Sequence, residues 1–166
     1  MKYVIEYNEI KCLSIREAKK HILNCDGIRL DEMKVKDLTY HNDEFIYPGS
    51  GVYIFRNGKQ IVYVGKCSSM SFTERIAKHF DLRKVAWMNR LLKLICERIQ
   101  GNKVTDDNLK IASKYAFENL SLVLINFKER DRIDRTERMF RATYKEALNT
   151  FKKLKIRDES VVVELY

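Results

Sequence analysis

The chain has 166 residues, of which 45% are hydrophobic, so it can form one domain with a core but not two domains of ordinary size. No apolar run approaches the roughly 20 residues that a membrane-spanning helix needs, and acidic residues interrupt the N-terminal apolar stretch, which argues against a signal peptide. The four cysteines form no Cys-x-x-Cys pair. We therefore expect reduced thiols in a cytoplasmic protein, not a disulfide framework or a zinc site.

The formal net charge of +9 is concentrated in the middle of the chain. Residues 56–100 hold 10 Lys+Arg against 3 Asp+Glu, whereas residues 1–55 hold 8 against 9. A surface that is basic only for solubility would not gather its charge around one short segment. The distribution therefore favours a polyanionic partner.

The N-terminal third predicts one strand and one helix. Residues 2–7 alternate apolar and polar side chains, which is typical of a strand. Ser14, with Glu17 three residues later, forms a capping-box pattern and predicts a helix over 15–23. The segment 27–46 is ambiguous.

Residues 51–65, GVYIFRNGKQIVYVG, predict a β-hairpin because two β-rich runs flank Asn57-Gly58. A two-residue Asn57-Gly58 loop and a three-residue loop with Gly58 as a left-handed bulge residue are the alternatives. We favour the three-residue loop, since it gives one aliphatic face. That face comprises Val52, Ile54, Val62 and Val64, and the opposite face comprises Tyr53, Phe55, Ile61 and Tyr63.

Two helices are predicted after the hairpin. Ser71 begins a capping-box pattern that opens a helix over 72–81, on which Arg75 and His79 project from one face. A second helix is predicted over 84–100. Its apolar positions are Trp87, Met88, Leu91, Leu92, Ile95 and Ile99. Its candidates for contacts with a phosphate backbone are Lys84, Arg90, Lys93 and Arg98.

The C-terminal third is predicted to alternate helices and strands. A helix over 107–118 precedes a core strand over 121–127. A capping-box pattern at Asp134 then opens a helix that runs to about residue 149. The run VVVEL, residues 161–165, predicts a last strand.

Gly51-Val52-Tyr53 followed by Tyr63-Val64-Gly65 resembles the two-part signature of the GIY-YIG nucleases. The other residues that this family expects occur in the expected order. They are Lys66 after the second motif, Arg75 and His79 on the next helix, Glu137 in a later helix, and Asn149 twelve residues further on. The resemblance covers roughly residues 47–151, with an additional helical segment around 102–119.

The resemblance implies an α/β fold in which a small, mainly antiparallel central sheet is flanked by helices. Turn residues at 47–51 mark the start of the nuclease domain. We therefore assign residues 47–166 to that domain and residues 1–46 to an N-terminal β–α extension packed on it.

The resemblance also implies cleavage of DNA phosphodiester bonds with one Mg²⁺ or Mn²⁺ ion. Glu137 would supply a hard oxygen ligand, and water and phosphate oxygens would complete the ion's shell. Arg75 would hold the scissile phosphate with its planar guanidinium group.

Tyr53 is the candidate general base, and Tyr63 would bind the phosphate or orient the attacking water, although these roles can be exchanged. A free tyrosine has a pKa of ~10, so a phenolate here needs stabilisation by Lys66, Arg75 or the metal. His79 would contact phosphate or assist proton transfer through Tyr53. Asn149 would orient other groups.

Within the family, a restriction-type endonuclease is our first hypothesis, because the chain is short and no separate DNA-binding domain is visible. The alternatives are a phage, mobile-element or repair nuclease, and a non-catalytic DNA-binding module on the same fold. A homodimer would suit cleavage of both strands of a palindrome. A second rival hypothesis is a basic protein-interaction domain in which the motif is a coincidence. This hypothesis predicts that Tyr53, Tyr63, Arg75 and Glu137 lie apart.

Overall fold

A computed structural model describes residues 1–150, 156 and 158–166. Its strands are β1 (Val4–Glu6), β2 (Ile28–Arg29), β3 (Tyr40–His41), β4 (Glu44–Phe45), β5 (Gly51–Asn57), β6 (Gln60–Cys67) and β7 (Ser121–Asn126). Its α-helices are α1 (Tyr7–Ile10), α2 (Ile15–Asn24), α3 (Phe72–His79), α4 (Arg90–Leu94), α5 (Asp106–Asn119) and α6 (Ile133–Thr143). A π-helical turn over Ile95–Ile99 continues α4, and 3₁₀ turns lie at Val35–Leu38 and Val163–Leu165.

The central sheet has the strand order β1-β7-β5-β6, and β2 pairs with the start of β7. The pairs β5–β6 and β5–β7 are antiparallel, whereas β1 lies parallel to β7. The α/β class, with a sheet flanked by helices, is confirmed. The sheet is mixed because the N-terminal strand joins it in parallel.

Two hydrophobic clusters cover the two faces of the sheet, as alternation along a strand requires. Val52 and Ile54 of β5 pack with residues of α2 and α6. Tyr53 and Phe55 point to the other face and pack with residues of α3, α4 and α5. Every helix in the described part of the chain is too short or too polar to cross a membrane.

The hairpin register differs from both predicted loops. Asn57 pairs with Gln60, so the loop is Gly58-Lys59, and Gly58 has a φ of +57°. A bulge in β6 at Val62 then exchanges the expected faces of two residues: Ile61 joins the aliphatic face and Val62 the aromatic face. The predicted grouping of both tyrosines on one face is confirmed.

The helices predicted over 15–23, 72–81 and 107–118 are confirmed as α2, α3 and α5. The helix predicted over 84–100 is wrong in its first half, because α4 begins only at Arg90. The buried Asn89 side chain donates to the Asp81 and Arg83 carbonyl oxygens, which holds the preceding residues in an irregular loop.

The last two predicted elements also differ. Helix α6 begins before Asp134, which lies in its first turn and does not cap it, and ends at Thr143. The chain then turns back, and Arg141 Nε donates to the Asn149 carbonyl oxygen at 2.8 Å. Residues 161–165 form a single bridge from Val162 to Ser14 and a 3₁₀ turn, not a strand.

A buried arginine joins the N-terminal segment to the hairpin. Arg56 of β5 is 5% exposed, and its guanidinium group donates to four carbonyl oxygens at the end of α2. These belong to Ile22, Leu23, Cys25 and Asp26. A cation at a helix C-terminus satisfies carbonyls that lack helical partners and interacts favourably with the helix dipole.

Replacing Arg56 with Met should therefore lower the free energy of unfolding by roughly 2–4 kcal/mol, because buried carbonyl oxygens lose their donors. Urea denaturation followed by circular dichroism measures this loss. Arg83→Met is the matched control, since the Arg83 side chain is 74% exposed and its loss should change stability little. Equal stability of the two variants would contradict the role assigned to Arg56.

Candidate active site

Six of the seven predicted site residues line one open cleft of about 800 Å³. They are Tyr53, Tyr63, Lys66, Arg75, Glu137 and Asn149. The walls of the cleft come from the β5–β6 hairpin, α3, the loop before α4, and α6. The hypothesis of a basic protein-interaction domain with a coincidental motif predicted that these residues lie apart. They line one cleft instead.

Both glycines of the two-part signature have a steric reason. A Cβ atom at Gly65 would lie 2.2 Å from Tyr53 Cζ and 2.3 Å from its hydroxyl oxygen. Gly51 has a φ of +153°, and a Cβ atom there would lie 2.0 Å from the Ile125 carbonyl oxygen. Gly65 therefore makes room for the Tyr53 phenol, and Gly51 allows β5 to approach β7 closely.

The hydroxyl of Tyr53 forms a buried hydrogen bond with His79, 2.7 Å from oxygen to Nε2. The backbone N–H of Leu91 donates to the other ring nitrogen, Nδ1, at 3.3 Å. Because Nδ1 accepts, a neutral ring carries its proton on Nε2 and donates it to the Tyr53 oxygen. His79 thus stabilises negative charge on Tyr53 and does not remove the Tyr53 proton.

His79 lies behind Tyr53, with no exposed surface, and it does not line the cleft. The predicted alternative of a direct contact between His79 and phosphate does not fit this position. Burial, followed by the charge of Arg75, lowers the His79 pKa to about 3, so the ring is neutral at physiological pH. The neutral ring is the form that the hydrogen-bond pattern requires.

Both tyrosines of the cleft are protonated in the free protein. Burial, and then the neighbouring Tyr63, raise the pKa of Tyr53 well above 10, while Arg75 lowers it. Burial also raises the pKa of Tyr63, against the charge of Arg75. Lys66 does not supply the expected support, because its Nζ is paired with Asp134 Oδ1 at 2.8 Å. A phenolate at Tyr53 therefore depends on His79, Arg75 and the expected metal ion.

Glu137 is 5% exposed on α6, and its Oε1 accepts from Arg141 Nη1 at 3.1 Å. Burial raises the pKa of Glu137, and the charge and hydrogen bond of Arg141 oppose that rise. Asp134, one turn earlier on α6, raises it slightly further. An additional cation beside Glu137 would favour its ionised form.

The described residues contain no cluster of three or more His, Cys, Asp or Glu side chains that forms a ready metal cage. Glu137 is the only carboxylate among the described residues that line the cleft. One carboxylate fits Mg²⁺, which keeps several water ligands and binds substrate phosphates, better than it fits a metal held entirely by protein ligands.

The cleft carries more cations than the motif predicted. Lys66 and Arg75 are joined by Arg90, Arg98 and Arg141. Arg90 and Arg98 were predicted as phosphate contacts on the helix expected over 84–100, whereas Arg141 was not predicted. Its position four residues after Glu137 on one helix was the available signal, since residues at this spacing contact each other.

Asn149 fastens the chain after α6 to the edge of β6. Its Nδ2 donates to the Val64 carbonyl oxygen at 2.6 Å, and its Oδ1 accepts from the Val64 N–H at 3.1 Å. The Leu148 N–H adds a bond to the Val62 carbonyl oxygen at 2.8 Å. The side chain thus completes an unpaired strand edge and positions the wall of the cleft.

Replacing Gly65 with Ala should displace the Tyr53 phenol and lower the free energy of unfolding by about 1–3 kcal/mol, because the methyl group occupies the space of the ring. Urea denaturation measures the loss. Gly58→Asn is the control, since a Cβ atom there meets nothing within 4 Å and asparagine tolerates a positive φ. Unchanged stability of the Gly65 variant would contradict the close approach.

Stability should fall in acid because of His79. In the unfolded chain the histidine has a pKa near 6.5 and is protonated below that pH. In the folded protein His79 stays neutral until the pH falls to about 3. The contribution of neutral His79 is therefore complete above pH 6.5 and declines as pH falls toward 3, by up to about 1.4 kcal/mol per unit.

Urea denaturation at several pH values between 4 and 7 compares the wild type with His79→Gln, which cannot titrate. The wild type should lose stability more steeply over this window. Parallel curves for the two proteins would show that His79 is not buried in its neutral form.

Comparisons with protein-family models, with curated proteins and with solved structures find no match for this chain. In the part of the chain that the structure describes, the cleft combines a cationic wall, two buried phenols and one buried carboxylate.

Proposed function

We propose that this chain is a metal-dependent endonuclease that hydrolyses DNA phosphodiester bonds in the cleft. The observation that carries the proposal is the convergence of Tyr53, Tyr63, Arg75 and Glu137, which are distant in sequence, on one cleft. Phosphodiester hydrolysis needs an activated water and stabilisation of the charge that develops on phosphate. Buried phenols, a cationic wall and a carboxylate are groups suited to those two tasks.

The strands β7, β5 and β6 form an antiparallel unit that we assign to the GIY-YIG fold within the domain 47–166. The parallel strand β1 and α2 then belong to the N-terminal extension. The side chains of Tyr53 and Tyr63 project from one face of this unit, toward α3. Glu137 lines the same cleft from α6.

Arg75 would bind a non-bridging phosphate oxygen. Its guanidinium Nη1 also donates to the Met88 carbonyl oxygen at 3.2 Å, which fixes its direction at the cleft. Arg90 and Arg98 lie on the same wall and would bind neighbouring phosphates. The net attraction should weaken as salt rises, because bound phosphates release counterions.

Tyr53 is a better candidate for the general base than Tyr63. The Nε2–H of His79 already points at the Tyr53 oxygen and would stabilise the phenolate that forms when the phenol proton passes to solvent. That phenolate would then accept a proton from the attacking water. A phosphate bound to Arg75 would place that water beside the phenol, and Tyr63 would orient it. His79 and Asn149 act as positioning residues.

Glu137 would hold one Mg²⁺ or Mn²⁺ ion together with water and phosphate oxygens. A bound divalent ion would supply Lewis-acid stabilisation of the charge on the phosphate and the leaving oxygen. The burial of Glu137 limits access of bulk water to this position and strengthens electrostatic interactions there.

A restriction-type endonuclease is the activity we favour within this class. A phage, mobile-element or repair nuclease uses the same chemistry and differs in its substrate. A DNA-binding module without catalysis is the second candidate function. The raised pKa of both phenols in the free protein favours it, since neither phenol is ionised and neither can act as a base unless a bound cation stabilises its phenolate.

Replacing Glu137 with Gln should reduce DNA cleavage in Mg²⁺ by at least about 100-fold, because the neutral amide binds the ion poorly. Gel analysis of a mixed panel of duplex, single-stranded and branched DNA measures cleavage. Glu118→Gln is the control, because Glu118 lies on α5 outside the cleft and its side chain is 58% exposed.

Salt-sensitive binding by the wild type, without cleavage in any divalent metal, would identify the DNA-binding module. Equal cleavage by wild type and Glu137→Gln would exclude Glu137 as the metal ligand.

A further inference from the structure

The single tryptophan of the chain, Trp87, stands exposed at the cleft. It is 83% exposed, and Val85 two residues earlier is 79% exposed, although Trp87 was predicted to be one of the apolar positions of a helix. An isolated exposed apolar side chain is ordinary on a protein surface. Trp87 differs because it lines the same cleft as Arg75 and Arg90.

The loop that carries Trp87 is held firmly by polar contacts. The Asn89 side chain, which is fully buried, donates to the Asp81 carbonyl oxygen at 2.6 Å and to the Arg83 carbonyl oxygen at 3.0 Å. The Lys93 ammonium donates to the Ala86 carbonyl oxygen. The backbone that carries the indole is therefore preorganised, which reduces the entropy lost on binding.

Arg75 connects this loop to the phosphate-binding wall. Its Nη1 donates to the carbonyl oxygen of Met88, the residue after Trp87. Arg75 thus contacts the backbone next to Trp87, and both side chains line the same cleft. A flat aromatic surface next to a cationic groove is the combination that binds single-stranded nucleic acid, since bases stack on the ring while cations follow the backbone.

We propose that Trp87 stacks on an unpaired base next to the phosphate held by Arg75, so that the domain prefers DNA with an unstacked base at the cleft. A base inside a continuous duplex is already stacked on both faces and cannot cover the indole without disrupting its neighbours. Single strands and duplexes with single-stranded extensions expose such a face. The inference rests on the proposed function and specifies its substrate.

The fluorescence of Trp87 tests this directly, because no other tryptophan contributes to the signal. The protein is titrated, with EDTA and no divalent metal, with an oligothymidylate and with an abasic oligomer of the same length. Both carry the same phosphates, but only the first carries bases. Oligothymidylate should quench the emission strongly, and the abasic oligomer should bind with little quenching.

Fluorescence anisotropy of labelled DNA then measures the affinity of variants. Trp87→Ala should weaken binding of oligothymidylate by roughly 5- to 100-fold and should leave binding of the abasic oligomer nearly unchanged. Trp87→Phe should retain much of the affinity. Val85→Ala is the matched control, because it removes the neighbouring exposed side chain of the same loop without removing an aromatic ring.

Equal quenching by the two oligomers, or equal affinity of wild type and Trp87→Ala for oligothymidylate, overturns the inference. Tighter binding of a continuous duplex than of a duplex with a single-stranded extension overturns it as well. Base-dependent quenching without any cleavage in Mg²⁺ supports stacking while refuting the nuclease. Cleavage that Trp87→Ala leaves unchanged on every substrate supports the nuclease and refutes stacking.

Discussion

The cross-strand approach of Tyr53 to Gly65 is the constraint on which the rest of the cleft depends. The two residues are direct partners in the hairpin, and the phenol lies where any side chain at position 65 would be. The ring can therefore cross the neighbouring strand and reach His79 on α3, which in turn accepts a hydrogen bond from the backbone of α4. The absence of a side chain at Gly65 thus allows Tyr53 to link the hairpin to two helices, and it determines where the candidate base lies.

Burial sets the electrostatics of this arrangement. His79 stays neutral because an imidazolium ion would be desolvated beside Arg75, and the neutral ring is then oriented by its two hydrogen bonds. The same desolvation keeps Tyr53 protonated and raises the pKa of Glu137. The arginines and the buried carboxylate of the cleft are each favoured by a ligand of opposite charge. A phosphate would balance the arginines, and a divalent cation would balance the carboxylate, which is the physical basis of the proposed phosphodiester chemistry.

Part of the geometry of the site could be predicted because its signals are local. Alternation along the two strands predicted that Tyr53 and Tyr63 share a face, and four-residue spacing placed Arg75 and His79 on one side of a helix. The prediction was wrong where local signals compete with distant contacts. Trp87 has helical spacing, but the Asn89 side chain holds its segment as a loop. The hairpin also differs from the prediction, because its loop is Gly58-Lys59 and a bulge at Val62 exchanges the faces of Ile61 and Val62.

The hairpin and the helices that begin at capping residues could be predicted from periodicity and from hydrogen bonds between residues a few positions apart. The set of candidate site residues came instead from the resemblance of the two-part motif. Local signals could not predict the parallel pairing of β1 with β7, the attachment of Asn149 to Val64 across 85 residues, or the side of the His79 ring that donates. Such contacts join distant segments, and they form only where the packing of the whole sheet brings a donor and an acceptor together.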